Sequence, residues 1–247
     1  MNKSIGNGEN SFASQLMKAG SDSRLLKGMI QQAGLTAKGM IKAPEDSFDF
    51  GNNSSTIVLV HGFACTSNVM SIIGNILKEK YNVAYVKGIP QLNTGDIGTS
   101  AKVLGQHVNE VLQKTEKNHD IHLLGHSLGG LIAIESIQHI VGAHINSIVT
   151  CAAPFYGTPL AKAMPFLKSL SQINTKGGYF GNGTNIDSGI QKMVAHVSLS
   201  DSFIPPSSQM PQETISTKTS IISHEEYTHT DFVVGKKAEQ FARSLQF

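Results

Sequence analysis

Within LLGHSLGG, residues 123–130, a serine lies between two glycines, directly after one apolar run and before another. Gly125, Ser127 and Gly129 fit the pattern G-x-S-x-G. Small residues on either side of the serine allow a sharp strand-to-helix turn to pass close to its neighbours and hold the serine in strained backbone geometry. Such a turn lifts the hydroxyl above the sheet, at a helix N-terminus that favours developing negative charge. The plain alternative is a glycine turn with no chemistry. A serine hydroxyl is a poor nucleophile until a base takes its proton. Where this pattern carries a nucleophile, an acid and then a histidine follow it along the chain.

For the acid, Asp201 stands at the carboxyl end of the apolar run 194–199, in HVSLSDSFIPP. Asp187 lies in GNGTNIDSG, a Gly/Asn loop with no strand before it, and reads as a turn residue. For the base, His144 and His196 precede Asp201, and His196 falls inside a strand-like run. His224 and His229 follow TSIIS; His229, in YTHTDFVVG, sits where a loop can return an imidazole over the sheet, and His224 is the runner-up. Asp231 reads as a residue at the start of the closing helix. The oxyanion hole needs two backbone N–H groups. One falls to Leu128, after the serine, and the other to Phe63, in the VLVHGFACTS loop. His61 and His126, each beside a tight turn, read as structural.

These residues need elements to position them. STIVLV, from Ser55, has the β-branched apolar character of a strand buried on both faces. Val69, Ile72, Ile73, Ile76 and Leu77 then repeat at helical spacing. The alternation continues with NVAYV, a helix marked by Ala101, Leu104, Val108, Val111 and Leu112, the strand IHLLG, and a helix from Leu131 to Ile140. INSIVTCAA, VAHVSLS and TSIIS read as further strands, and Val234, Ala238, Phe241, Ala242 and Leu245 as a closing helix. Strands alternating with helices predict an α/β fold: a mostly parallel sheet of about six strands, helices on both faces, and sites at the strands' carboxyl ends. Ser127 falls at such an end.

The chain has 247 residues and 40% hydrophobic content, sufficient for a full core. The expected organisation is an N-terminal extension at 1–53, partly helical or disordered, and one domain at 54–247 with a cap at about 157–193. Within the extension, Leu26, Met29, Ile30, Ala33, Ala37, Met40 and Ile41 fall at helical spacing among Arg24, Lys27, Lys38 and Lys42. That pattern suits either a helix docked on the domain or a basic amphipathic helix with peripheral membrane contact. A net charge of +2 gives no sign of a nucleic-acid partner. No apolar run reaches the length of a membrane span and no signal-peptide pattern is present, so a cytoplasmic location, or export without a cleaved signal, is expected. Two cysteines, Cys65 and Cys151, exclude a disulfide framework and read as buried thiols.

VLVHGF, GHSLGG, APFYGTPLA, DSFIPP and HTDFVVG, in that order, resemble the α/β-hydrolase superfamily, most of all its bacterial lipase and esterase branch. The resemblance spans roughly residues 55–245, and Pro154–Ala161 is similar to a P-x-x-G-[ST]-x-x-A segment of many lipases. It implies Ser127 as nucleophile, His229 as base, Asp201 as orienting acid, and Phe63 and Leu128 as oxyanion donors. The implied activity is ester hydrolysis through an acyl-enzyme on an acyl ester or lipid, without cofactor or metal. A thioesterase acting on acyl-protein or acyl-carrier thiols and a non-catalytic binding module of the same fold are the alternatives. The apolar residues Leu160, Met164, Phe166, Leu167 and Leu170, set against the glycine-rich KGGYFGNGTN, suit a partly flexible cap over a hydrophobic ester.

Overall fold

The computed structural model describes residues 44–46, 53–116, 119–142, 145–174, 177–180, 190–211, 215 and 218–247. The expected helix at 26–41, His144 and Asp187 lie outside the described residues, as does most of the N-terminal extension.

Six strands form one sheet: β1 (Ser55–Val60), β2 (Asn82–Tyr85), β3 (Asp120–His126), β4 (Ile145–Cys151), β5 (Met193–Ser198) and β6 (Thr219–His224). Their order is β2-β1-β3-β4-β5-β6, and every neighbouring pair is parallel. The helices are α1 (Ser71–Leu77), α2 (Ile97–Gln113), α3 (Leu128–Glu135), α4 (Pro159–Ala163), α5 (Lys168–Ile173) and α6 (Gly235–Ser244). No helix among the described residues is long and apolar enough to cross a membrane.

The period-2 alternation of β1 divides the core. Val58 and Val60 pack with Leu104 and Val108 of α2 and Leu131 of α3. Ile57 and Leu59 pack on the other face with Ile73 of α1 and Phe241 of α6. A strand buried on both faces cannot alternate polar with apolar residues, which explains the unbroken run in STIVLV. α3 lies deep in the fold, with Leu128 to Ile134 all buried. α2 is amphipathic and starts at Asp96, whose Oδ1 accepts the Thr99 N–H at 2.8 Å.

Chain order reverses between β1 and β3: β2 adds on one side of β1, and β3 to β6 add on the other. Ligands of open parallel sheets bind at the carboxyl ends of strands at such a switch point. Ser127 leaves β3 at this point, and His61–Gly62 leave β1 beside it.

The apolar stretch at 160–170 forms two short helices, with Pro165 between them; Leu160 and Leu170 are buried, whereas Phe166 is 62% exposed. Within KGGYFGNGTN, the described residues 177–180 pack against the core: Phe180 is buried, and the Tyr179 N–H donates to Phe155 O at 3.2 Å.

Candidate functional site

Ser127 occupies the N-cap position of α3 with φ 56° and ψ −128°. A serine there ordinarily turns its hydroxyl onto the first helical N–H groups. Here the side chain makes no capping hydrogen bond. The strained backbone is pinned instead by the main chain: Ser127 N–H donates to Cys151 O on β4 at 2.8 Å, and Ser127 O accepts from Gly130 N–H at 2.9 Å. Strain of this kind persists only where the surroundings over-determine it.

The flanking glycines permit that packing. A Cβ at Gly125 would lie 2.4 Å from Gly129 O, and one at Gly129 would lie 2.3 Å from Val60 O. A Cβ at Gly62 would lie 2.9 Å from the Ser127 Cβ. The β1 loop therefore passes directly against the serine and carries Phe63, itself buried, to its side. Leu128 is the first residue of α3, so its N–H has no acceptor within the helix.

The structure brings Asp201 and His229 together. His229 Nδ1–H donates to Asp201 Oδ2 at 2.8 Å, with side-chain exposures of 3% and 0%. The carboxylate is held by the turn that follows β5. Its Oδ1 accepts the N–H groups of Phe203 at 2.7 Å and Ile204 at 2.8 Å, and its Oδ2 accepts Gln209 Nε2–H at 3.1 Å. Because Nδ1 carries the proton, Nε2 of His229 is the bare ring nitrogen. It is buried and makes no hydrogen bond among the described residues.

His126 links this pair to the serine's strand. Its Nε2–H donates to His229 O at 2.8 Å, and the two rings stand 4.8 Å apart. Burial drives the His126 pKa down to about 3, and the neighbouring His229 acts in the same direction. Burial likewise lowers His61 to about 4. Both rings are neutral at neutral pH. His224 bonds His196 rather than Asp201, with Nδ1 of the His196 ring and Nε2 of the His224 ring 2.9 Å apart. Asp231 departs from its expected role. α6 begins four residues later, at Gly235, and Asp231 Oδ2 instead accepts Thr228 N–H at 2.7 Å within the turn that presents His229. Cys65 and Cys151 are both buried thiols.

Gln209 is a residue that sequence reading missed. Its Oε1 accepts Ser198 N–H at 2.7 Å, while its Nε2 also bonds Ser198 O and Ile204 O. The amide thus pairs with Ser198 as a neighbouring strand would, and reaches Asp201. A glutamine after PPSS carries no pattern that announces this. Nearby, a cavity of about 440 Å³ is lined by Tyr156, Thr158, Lys162, Ile173, Pro205 and Ser208 among others. It adjoins the Asp201 turn, where Thr158 Oγ1 donates to Phe203 O at 2.7 Å, but Ser127 and His229 do not line it.

The sequence has no significant match among curated proteins. The fold is similar to a lipase-esterase related protein from Clostridium acetobutylicum, at 15% identity and TM-score 0.61, covering 81% of this chain and 96% of that one. It is also similar to a structure reported with LipS and LipT, two metagenome-derived lipolytic enzymes, at 14% identity and TM-score 0.62, covering 82% and 95%. A third similar structure is RedJ, a thioesterase of the prodiginine biosynthetic pathway in Streptomyces coelicolor, at 13% identity and TM-score 0.56, covering 82% and 94%. These likenesses give the α/β-hydrolase fold expected from the motifs. The family described as "PGAP1-like alpha/beta domain" matches residues 70–234, a span that holds Ser127, Asp201 and His229, and the chain belongs to that family, within the α/β-hydrolase superfamily.

Proposed function

We propose that the protein is a serine hydrolase that cleaves carboxylic esters through an acyl-enzyme, with Ser127 as nucleophile, His229 as base and Asp201 as orienting acid. One observation carries this reading: a serine held at φ 56° on the N-cap of α3 with its hydroxyl not spent on capping, tied through the His126–His229 bond to a buried imidazole whose Nε2 is bare. A capping serine or a satisfied core histidine would need neither feature.

In this mechanism His229 Nε2 takes the Ser127 proton as Oγ attacks the ester carbonyl. The Leu128 and Phe63 N–H groups receive the oxyanion, each worth about 3–4 kcal/mol. Asp201 keeps the proton on Nδ1 and stabilises the imidazolium. The imidazolium then protonates the leaving alcohol, and water, deprotonated by the same nitrogen, releases the acid. Ser127 is 5% exposed and His229 2%, so the proton transfer takes place in a largely buried setting. The exposed Tyr156 and Phe166, in the segment that follows β4, support a hydrophobic acyl ester as the substrate class.

The test is hydrolysis of a p-nitrophenyl ester series, from short to long acyl chains, by the wild type and Ser127→Ala. The expected result is turnover that peaks on long chains and falls by about 10⁶ in the variant. A short-chain peak keeps the nucleophile and moves the substrate class to small esters. Ser127-dependent turnover confined to a thioester panel would make the protein a thioesterase, and no turnover on either panel would sink the enzymatic reading.

A further inference from the structure

β4 ends at Cys151, opposite His196, while β5 runs on to Ser198. Leu199 N–H donates to His224 O on β6, so Ser198 turns its backbone N–H and C=O the other way, toward the side that β4 has left. Ser198 is buried, and both groups need partners there. The Gln209 side chain supplies them: Oε1 accepts Ser198 N–H at 2.7 Å, and Nε2–H donates to Ser198 O at 3.2 Å. The turn that delivers it is stiffened by Pro205 and Pro206, with Ser208 N–H on Pro205 O at 2.8 Å and Gln209 N–H on Pro206 O at 3.0 Å. Gln209 itself is 1% exposed. Two further oxygens face Nε2, Ile204 O at 2.8 Å and Asp201 Oδ2 at 3.1 Å. Turned over, the amide would set its own oxygen against all three, so its orientation is fixed by its surroundings.

Strand pairing does not require the contact with Oδ2. Asp201 Oδ1 is fixed by two backbone N–H groups, whereas Oδ2 is met by side chains, His229 Nδ1–H at 2.8 Å and Gln209 Nε2–H. Ser198, which the amide holds by its backbone, in turn donates its Oγ–H to Tyr227 O, two residues before His229. One buried amide therefore touches the acid directly and the loop of the base through one intermediate. We propose that Gln209 is a positioning residue for the proton transfer at His229: it holds Asp201 Oδ2 where that oxygen meets Nδ1–H, and through Ser198 it registers the acid's turn against the base's loop. The proposal rests on the reading of Ser127, His229 and Asp201 given above. Without the amide, Oδ2 keeps a single donor, and turn and loop lose their common anchor. Because Gln209 acts through Asp201, the loss falls on the chemical step rather than on substrate binding.

Gln209→Met keeps the length of the side chain and removes its hydrogen bonds. On the p-nitrophenyl ester that the wild type turns over best, kcat should fall about tenfold to a hundredfold with KM unchanged. In Asp201→Asn the new amide spends its oxygen on the N–H groups of Phe203 and Ile204, and its nitrogen faces Gln209 Nε2, donor against donor. Adding Gln209→Met to that variant should therefore change kcat by no more than about twofold. A residue that only held the turn would cost the same in both backgrounds. Heteronuclear NMR of the full chain gives a readout that needs neither substrate nor a change at Gln209, so it stands even where Gln209→Met does not fold. One Gln209 side-chain proton should lie downfield in the wild type, beside the carboxylate, and Asp201→Asn should move it upfield. Ser127-dependent turnover unimpaired in Gln209→Met, additive losses in the double variant, or Gln209 signals unmoved by Asp201→Asn would each overturn the proposal. An absence of Ser127-dependent turnover on both esters and thioesters would instead overturn the reading on which it rests.

Discussion

Two histidine pairs join the same two stretches of chain, each across 28 residues, and they do opposite things with a proton. His229 faces the carboxylate of Asp201. His196 faces the imidazole of His224. The first pair can hold an imidazolium, because a buried carboxylate with three further N–H donors stays an acceptor beside it. The second can hold none without loss, because one ring must donate and the other accept. The rings of Phe232 and Phe241 close around both histidines of this pair and offer no countercharge. The difference is one of partner rather than place, and in the proposed mechanism it separates the imidazole that transfers a proton from one that packs.

The sharpest way to break this comparison is to remove the charge from one pair only. Asp201→Asn keeps the shape of the turn but leaves His229 free to carry its proton on Nε2. The expected fall in kcat on a p-nitrophenyl ester is about 10⁴-fold, with the fold intact by circular dichroism. His224→Gln, which keeps a hydrogen-bonding partner for His196, should leave kcat within a few fold. Equal losses in the two variants would mean that both pairs serve only to hold the loop.

Acid should test the His196–His224 pair by stability. Burial first, and then the charge of His224, lowers the His196 pKa from its ordinary 6.5 to about 4. The unfolded chain therefore binds this proton at a pH where the folded one does not. The neutral ring's contribution is fully present above pH 6.5 and is lost as pH falls from there through about 4. The loss from this one group is on the order of 3 kcal/mol. His61, His122 and His126 are lowered by burial in the same sense, so the wild type should lose Tm steeply across that window. His196→Gln removes one of these protonations and should flatten the Tm-against-pH curve between pH 6.5 and 4. An unchanged slope would mean that the His196–His224 bond does not resist protonation.

Much of this was legible in the sequence, for a physical reason in each case. β1, β3 and β4 are buried on both faces, so their apolar runs declare them, and six parallel strands follow from the alternation. Gly125 and Gly129 signal a close approach that no larger residue permits. Asp201 and His229 follow from strand ends and chain order. Other features depend on contacts that span the fold and leave no local pattern. His126 sits beside the serine yet acts 103 residues away, on the backbone of His229. Gln209 imitates a strand neighbour without belonging to a strand. The break between α4 and α5 falls around Pro165. Asp231 looked like a helix start because an acid before VVGKKAEQ suits an N-cap, whereas positive φ at Gly235 delays the helix until that residue.

Asp231 supplies the smallest effect and the last sharpening of the comparison. It lies two residues after His229, and its side chain is 24% exposed where that of Asp201 is fully buried. It accepts Thr228 N–H at 2.7 Å and pairs with Lys237 at 3.3 Å. Asp231→Asn retains an oxygen for Thr228 and gives up a solvated ion pair worth about 0–1 kcal/mol. For a chain of this length the expected cost is at most about 2–4 °C in Tm, with kcat nearly unchanged. Thermal denaturation and ester turnover measured on one preparation decide it. A large loss of kcat in this variant would show that the charge near His229, and not its direct bond to Asp201, governs the imidazole. A small one leaves a single carboxylate, the buried one, in command of the proton.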